Sequence, residues 1–213
     1  ETVMVVAYSY MALVPIIQPA VIKLTTTKKE RLIRMEYKPA SVSKRTKILF
    51  PILVTIVSGL IAPASLSLVG MLMFGNLIRE CGVLNYLTDT AKDVLTNLVT
   101  LFLGITIAFT MKAENFITVQ TLMIMGLGLC AFIFDTFSGV MLAKVMNLFL
   151  KEKINPMIGA AGISAFPMSA RIVQKMGIKE DPTNHLLMHA VGANVSGQIA
   201  SAIVGGLIIG LVL

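Results

Sequence analysis

Residues 151–171 gather Asn155, Gly159, Ser164, Ser169 and Arg171 between two long apolar runs, with Pro156, Pro167 and a Gly-Ala-Ala-Gly stretch among them. An amide carbonyl, a hydroxyl and main-chain carbonyls freed by proline and glycine are neutral, hard oxygen donors. Such a set suits a small hard cation held in an oxygen shell. Gly and Ser are also the small residues that let helices approach closely, but close approach explains neither Asn155 nor Arg171. Asn194, Ser196 and Gln198 repeat the pattern around Gly192 and Gly197. On a helix Asn194 and Gln198 share a face and Ser196 does not. Two interrupted polar segments predict a crossing around one site. Asp135 follows twenty uncharged residues, and a carboxylate at that depth is expected to face protein, a cavity or an interface. His189 reads as an interhelical hydrogen-bond partner or a proton relay. Tyr8 and Tyr10 read as interfacial anchors or as residues lining a path.

The elements that must position these groups are membrane helices. Hydrophobic residues make up 56% of the chain and charged residues 14%, against roughly 25% charged in an ordinary soluble domain. Residues 3–22, 94–111 and 186–213 read as spans. Residues 48–62 and 66–77 are each shorter than the ~20 residues of a straight span, so they form two short or tilted spans or one broken hairpin. Residues 80–93 look interfacial. Residues 116–150 exceed one membrane thickness and must tilt, break or project. Polar backbone broken by Pro and Gly is stable at depth only when buried in protein or lining a cavity, which singles out 155–171 and 190–198.

Residues 23–47 carry nine Lys/Arg against two Glu, a net +7 that equals the formal charge of the whole chain. Basic loops beside spans stay cytoplasmic, so this stretch is expected inside, as a topology signal and solvated linker. No aromatic-basic platform accompanies the charge, which excludes a nucleic-acid surface. Lys151, Lys153, Lys175 and Lys179 fall on the same side in one consistent count, so that 155–171 enters and returns on one face. Cys81 and Cys130 stand far apart in apolar contexts and imply neither a disulfide framework nor a metal cluster. Trp is absent, leaving Tyr, Lys and Arg as interfacial anchors. No signal peptide is visible, and the opening straight into an apolar helix suggests numbering from inside a larger protein.

The stretches Ala7-Tyr-Ser-Tyr-Met-Ala-Leu-Val-Pro15, Thr27-Lys-Lys-Glu-Arg31, Gly70-Met-Leu-Met-Phe-Gly-Asn-Leu-Ile-Arg-Glu-Cys-Gly82, residues 151–171 and Leu187-Met-His-Ala-Val-Gly-Ala-Asn-Val-Ser-Gly197 together resemble the beta subunit of the biotin-dependent, sodium-pumping decarboxylases. That family acts on oxaloacetate, methylmalonyl-CoA, glutaconyl-CoA or malonate. The resemblance implies an all-α, polytopic protein of the bacterial inner membrane with a transporter-like inverted repeat and broken helices. Residues 1–22 would be the last helix of the first repeat, 23–47 the basic linker, and 48–213 the second repeat. It also implies a missing N-terminal half, which in the family carries a Gly-Gly-Ala-Asp-Gly-Pro-Thr segment with a principal sodium and proton residue.

By the same resemblance, Asn155, Gly159, Ser164 and Asn194 fall on sodium-site positions, and Arg171 and Tyr10 on functional ones. Arg171 would meet the carboxylate of carboxybiotin, or repel sodium once a proton arrives; Tyr10 would donate or relay that proton. Phe166 and Ser169 stand where relatives carry Val and Ala, and Ala193 where some carry Pro; Asp135 falls on no family motif. The implied ligands are sodium and a carboxybiotin presented by a separate carrier domain. The implied partners are the carboxyltransferase, biotin-carrier and small membrane subunits, with room for a homo-oligomer. Two other readings are a cation-coupled secondary transporter without decarboxylase chemistry and a membrane scaffold. An upstream intramembrane Asp and a neighbouring biotin-carrier gene would separate the first from the decarboxylase.

Overall fold

The computed structural model describes residues 13–37, 41–110, 118–163, 165 and 167–212. Helix is the only regular structure among them. Two compact units are distinguished: Glu1–Lys38 with Thr110–Gln198, and Pro39–Phe109 with Ile199–Leu213.

In the first unit, α1 (Val14–Thr25) opens with Pro15 in its first turn and buries Val14, Gln18, Val21 and Ile22. Proline is suited to that start because its missing N–H has no intrahelical partner anyway. The helix ends where the Thr25 and Thr26 hydroxyls donate to the Val21 and Ile22 carbonyls. A short helix α2 (Lys28–Arg31) follows, closed by a capping box in which Thr27 and Glu30 satisfy each other's backbone N–H. Reciprocal capping of this kind fixes a chain that could not hold one turn of helix by itself.

In the second unit, α3 (Lys44–Ile61) and α4 (Leu66–Cys81) are joined by the tight turn Pro63–Ser65. The Lys47–Glu80 ion pair at 3.6 Å joins their far ends, while a Cβ on Gly59 would touch Leu66 beside the turn. Of the two arrangements open for residues 48–77, this is the helical hairpin. Helix α5 (Asn85–Asp89) runs through a π-helical stretch, Thr90–Leu95, into α6 (Thr96–Thr110). The expected interfacial piece at 80–93 is therefore largely the start of a longer helix. A π turn takes up an added residue without breaking the axis.

Helix α7 (Val119–Phe149) has 31 residues, about 46 Å at the standard rise and well beyond the ~30 Å hydrocarbon core. Its end is tied back by Asn147, whose amide exchanges two 2.8 Å hydrogen bonds with the backbone of Ile154. After the turn Pro156–Gly162 come α8 (Met168–Glu180) and α9 (Leu187–Val212). Asn85–Phe109, Val119–Phe149 and Leu187–Val212 are long and apolar enough to cross a membrane. The chain is an all-α, multi-pass membrane protein.

Two expectations are corrected. Residues 190–198 are not a break, because α9 is a continuous helix through them. Asn194 is buried with its Nδ2 donating to the Ile163 carbonyl, and Ser196 returns its hydroxyl to the Gly192 carbonyl at 2.9 Å, so these polar side chains are placed without unwinding the helix. Nor is the first part of the basic linker a solvated tether. Arg31 pairs with Glu180 at 2.8 Å, Arg34 with Asp181 at 2.7 Å and Lys144 with Glu30 at 3.0 Å. Cations that the hydropathy pattern assigns to solvent thus close a clasp over α7 and α8.

Candidate cation site

The centre of the first unit is the broken segment itself. Pro156–Gly162 is a 3-10 turn, and Pro156, Met157, Ile158, Ala160 and Ala161 are buried. Asn155 caps it, its Oδ1 accepting from the Met157 N–H at 3.1 Å. The Asn155 Nδ2 donates to two linker carbonyls, Arg31 at 2.8 Å and Ile33 at 2.9 Å. Asn184 donates to the same Ile33 carbonyl at 2.9 Å.

A 3-10 turn leaves carbonyls without helical partners, and at this burial each needs a donor. The Ala160 carbonyl receives Gln18 Nε2 from α1 at 2.8 Å and Ser169 Oγ from α8 at 3.1 Å. The Ile163 carbonyl receives Asn194 Nδ2 from α9 at 2.6 Å. Three helices therefore reach one segment through neutral polar side chains. Two glycine contacts bring the backbones close. A Cβ on Gly139 of α7 would run into the Gly159 carbonyl, and one on Gly197 of α9 into the Gly162 carbonyl.

The structure accordingly places Asn155 and Gly159 on one segment, with Asn194 reaching its Ile163 carbonyl from α9. Ser164 and Tyr10 lie outside the described residues, as do Tyr8 and Phe166. Arg171 sits in the first turn of α8, on the exposed face with Lys175 and Lys179 at four-residue spacing. Its guanidinium has no ion-pair or hydrogen-bond partner among the described residues. Gln198 and Ser196 are exposed. Asp135 is exposed too, because the buried stripe of α7 runs through Phe132, Thr136, Val140 and Ala143. Among the described residues it does not turn toward protein. His189 lies edge-on to Tyr37, with ring centroids 5.8 Å apart.

Electrostatics around the segment are set at the linker. Burial pushes the Glu30 carboxyl upward, but hydrogen bonds from the Thr27 backbone and Lys144 outweigh it and hold the group below its usual value. The Asp181 carboxyl is lowered by the Thr183 hydroxyl and N–H and by Arg34. Lys29, Glu30, Lys144 and Lys153 line a groove of about 620 Å3 beside the end of α7. Among the described residues no three His, Cys, Asp or Glu side chains gather in a way that could hold a metal ion. The polar groups gathered at the segment are instead neutral amides, a hydroxyl and main-chain carbonyls.

Sequence reading missed Gln18, the residue that ties α1 to the segment. A lone amide inside an apolar run, between Pro15 and Pro19, was the available signal. Gly139 was missed as well, since one glycine among several in a long apolar helix carries no mark of its contact.

Comparison with known proteins gives the same reading. Methylmalonyl-CoA decarboxylase subunit beta of Propionigenium modestum is 56% identical over 207 residues, which is 97% of this chain and 52% of that protein. The oxaloacetate decarboxylase beta chain of Klebsiella pneumoniae is 51% identical over 98% of this chain and 48% of its own length. Methylmalonyl-CoA decarboxylase subunit beta of Veillonella parvula is 52% identical over 95% of this chain and 54% of its own. The chain spans about half the length of these curated relatives. Residues 1–212 match the family described as the Na+-transporting oxaloacetate decarboxylase beta subunit, and the chain belongs to that family.

Proposed function

We propose that the complete polypeptide couples decarboxylation of carboxybiotin to outward sodium transport across the bacterial inner membrane. The observation that carries this is a buried 3-10 segment whose carbonyls are held by neutral amide and hydroxyl groups from three helices, in a chain of this family. Asn155, the Gly159 carbonyl, Ser164 and Asn194 are the sodium ligands, with sodium as cargo rather than resident cofactor. Each is neutral, so sodium is held weakly enough to leave.

Carboxybiotin arrives on a carrier domain, loaded by a carboxyltransferase subunit, with a small membrane subunit completing the complex. Arg171 presents a guanidinium without a partner among the described residues, which cannot escape its charge by deprotonating and matches a carboxylate as a planar fork. When the carbamate C–N bond breaks, CO2 leaves and the ring nitrogen takes a proton, for which Tyr10 is the donor or relay. The inverted repeat, with 1–22 ending the first repeat and 48–213 forming the second, belongs to the same proposal. The names of the relatives favour this function over a transporter without decarboxylase chemistry.

The test is Arg171→Ala and Arg171→Lys in the complete complex, with sodium uptake into proteoliposomes followed alongside carboxybiotin decarboxylation. Arg171→Ala is expected to abolish coupled turnover while assembly survives, and Arg171→Lys to restore it only in part. Near-normal turnover in Arg171→Ala would reduce the residue to a charge at the interface.

A further inference from the structure

Gln18 occupies the middle of the buried stripe of α1 and is itself fully buried. Its Nε2 donates to the Ala160 carbonyl at 2.8 Å and to the Ser169 hydroxyl at 2.5 Å. The carbonyl can only accept, so the amide nitrogen must face it; turning the amide over would set two oxygens against each other. The direction of Oε1 is thereby fixed, and that oxygen has no hydrogen-bond partner among the described residues.

Asn194 repeats the arrangement from α9. It is fully buried, its Nδ2 is bound to the Ile163 carbonyl at 2.6 Å, and its Oδ1 has no partner among the described residues. Gln174, Asn184 and His189 also hold a buried polar atom without a partner, but their hydrogen bonds do not go to the broken segment. Two amides on different helices thus bind the same segment through nitrogen and keep an oxygen unmatched. Leaving such a buried acceptor unmatched is costly, and a small cation bound at such an oxygen removes that cost.

We propose that Gln18 is a ligand of the transported cation, through Oε1, and that α1 thereby contributes directly to the site. The inference rests on the sodium reading above and adds to it a residue from α1. Gln18 Nε2 holds the segment in place while Oε1 meets the ion, so one side chain couples occupancy to the position of α1 against Ala160 and Ser169.

The experiment measures thermal unfolding of the complete subunit in detergent, with sodium chloride replacing potassium chloride at constant ionic strength. A ligand that binds only the folded state raises its stability with concentration, so the sodium midpoint is read without activity. Gln18→Met keeps the buried volume and removes the oxygen, and is expected to need roughly 5- to 150-fold more sodium. Gln18→Glu replaces the neutral oxygen by one that ionises. Its sodium affinity is expected to rise between about pH 6 and about pH 9, the range in which buried carboxyls ionise.

An unchanged midpoint in Gln18→Met overturns the proposal, as does a Gln18→Glu that follows Gln18→Met at every pH, which a purely positioning role would give. Should Gln18→Met fail to fold, the pH series on Gln18→Glu decides alone. Absence of any sodium-specific stabilisation in the unsubstituted subunit would overturn the sodium reading as a whole, Gln18 included. Stabilisation there with an insensitive Gln18 would overturn only this inference.

Discussion

Asn155 has two roles that a single substitution would confuse. Its Nδ2 holds the linker carbonyls of Arg31 and Ile33, and its Oδ1 caps Met157 with one lone pair left for a cation. Asn184 shares the first role through Ile33 and has no bond to the segment, so it serves as the control. Asn155→Ala and Asn184→Ala should both expose the linker to trypsin at Arg31 and Arg34. Only Asn155→Ala should also raise the sodium concentration for half-maximal decarboxylation, by roughly 5- to 150-fold for one lost neutral ligand. Equal sodium dependence in the two variants would assign Asn155 to the linker alone. The polar residues of 155–171 were legible in the sequence because hydrocarbon makes polarity conspicuous. Their partners were not, since Gln18 lies 142 positions from Ala160 and hydrogen bonding at that range leaves no local pattern.

At the scale of elements, the sequence pointed to two broken segments and the structure holds one. Proline explains the difference. Pro156 and Pro167 flank the 3-10 turn, whereas α9 contains only glycines, which a packed helix tolerates at about 1 kcal/mol each. Gly197 serves instead as the place where the Gly162 carbonyl approaches the helix, opposite the contact between Gly159 and Gly139 along the same segment. Gly197→Ala must push that carbonyl away, and overpacking of this kind costs about 1–3 kcal/mol. In the same helix, a Cβ at Gly192 meets nothing within 4 Å, so Gly192→Ala gains helix propensity without a clash. Thermal unfolding followed by far-ultraviolet circular dichroism should show Gly197→Ala melting below the unsubstituted protein and Gly192→Ala at or above it. A Gly197→Ala that melts normally would mean that the segment moves aside freely, and the tight backbone contact would have no energetic weight.

For the whole molecule, hydropathy and charge identified the membrane class, the long helices and the basic linker, because those properties sum over many residues and survive local error. Folding adds that the linker is two things in succession. Its first part is clasped by Glu180 and Asp181, and its second leads through Ser43, which caps α3 by accepting the Thr46 N–H at 3.2 Å. Ser41 lies between them, exposed and just ahead of that cap. We propose that the nine cations in 23–47 place this stretch on the cytoplasmic side, since moving them across would oppose the charge bias that orients spans. A Ser41→Cys variant of the complete polypeptide, with Cys81 and Cys130 replaced by Ser, should react with an impermeant thiol reagent in inverted vesicles and remain unlabelled in intact cells. The clasp makes a second demand on the same experiment. Arg31 is mostly buried against Glu180, with side-chain exposures of 14% and 18%, so Arg31→Cys should react far more slowly than Ser41→Cys from the same side. Labelling of Ser41→Cys from the periplasmic face would reverse the orientation of every span, and equal rates at the two positions would dissolve the clasp.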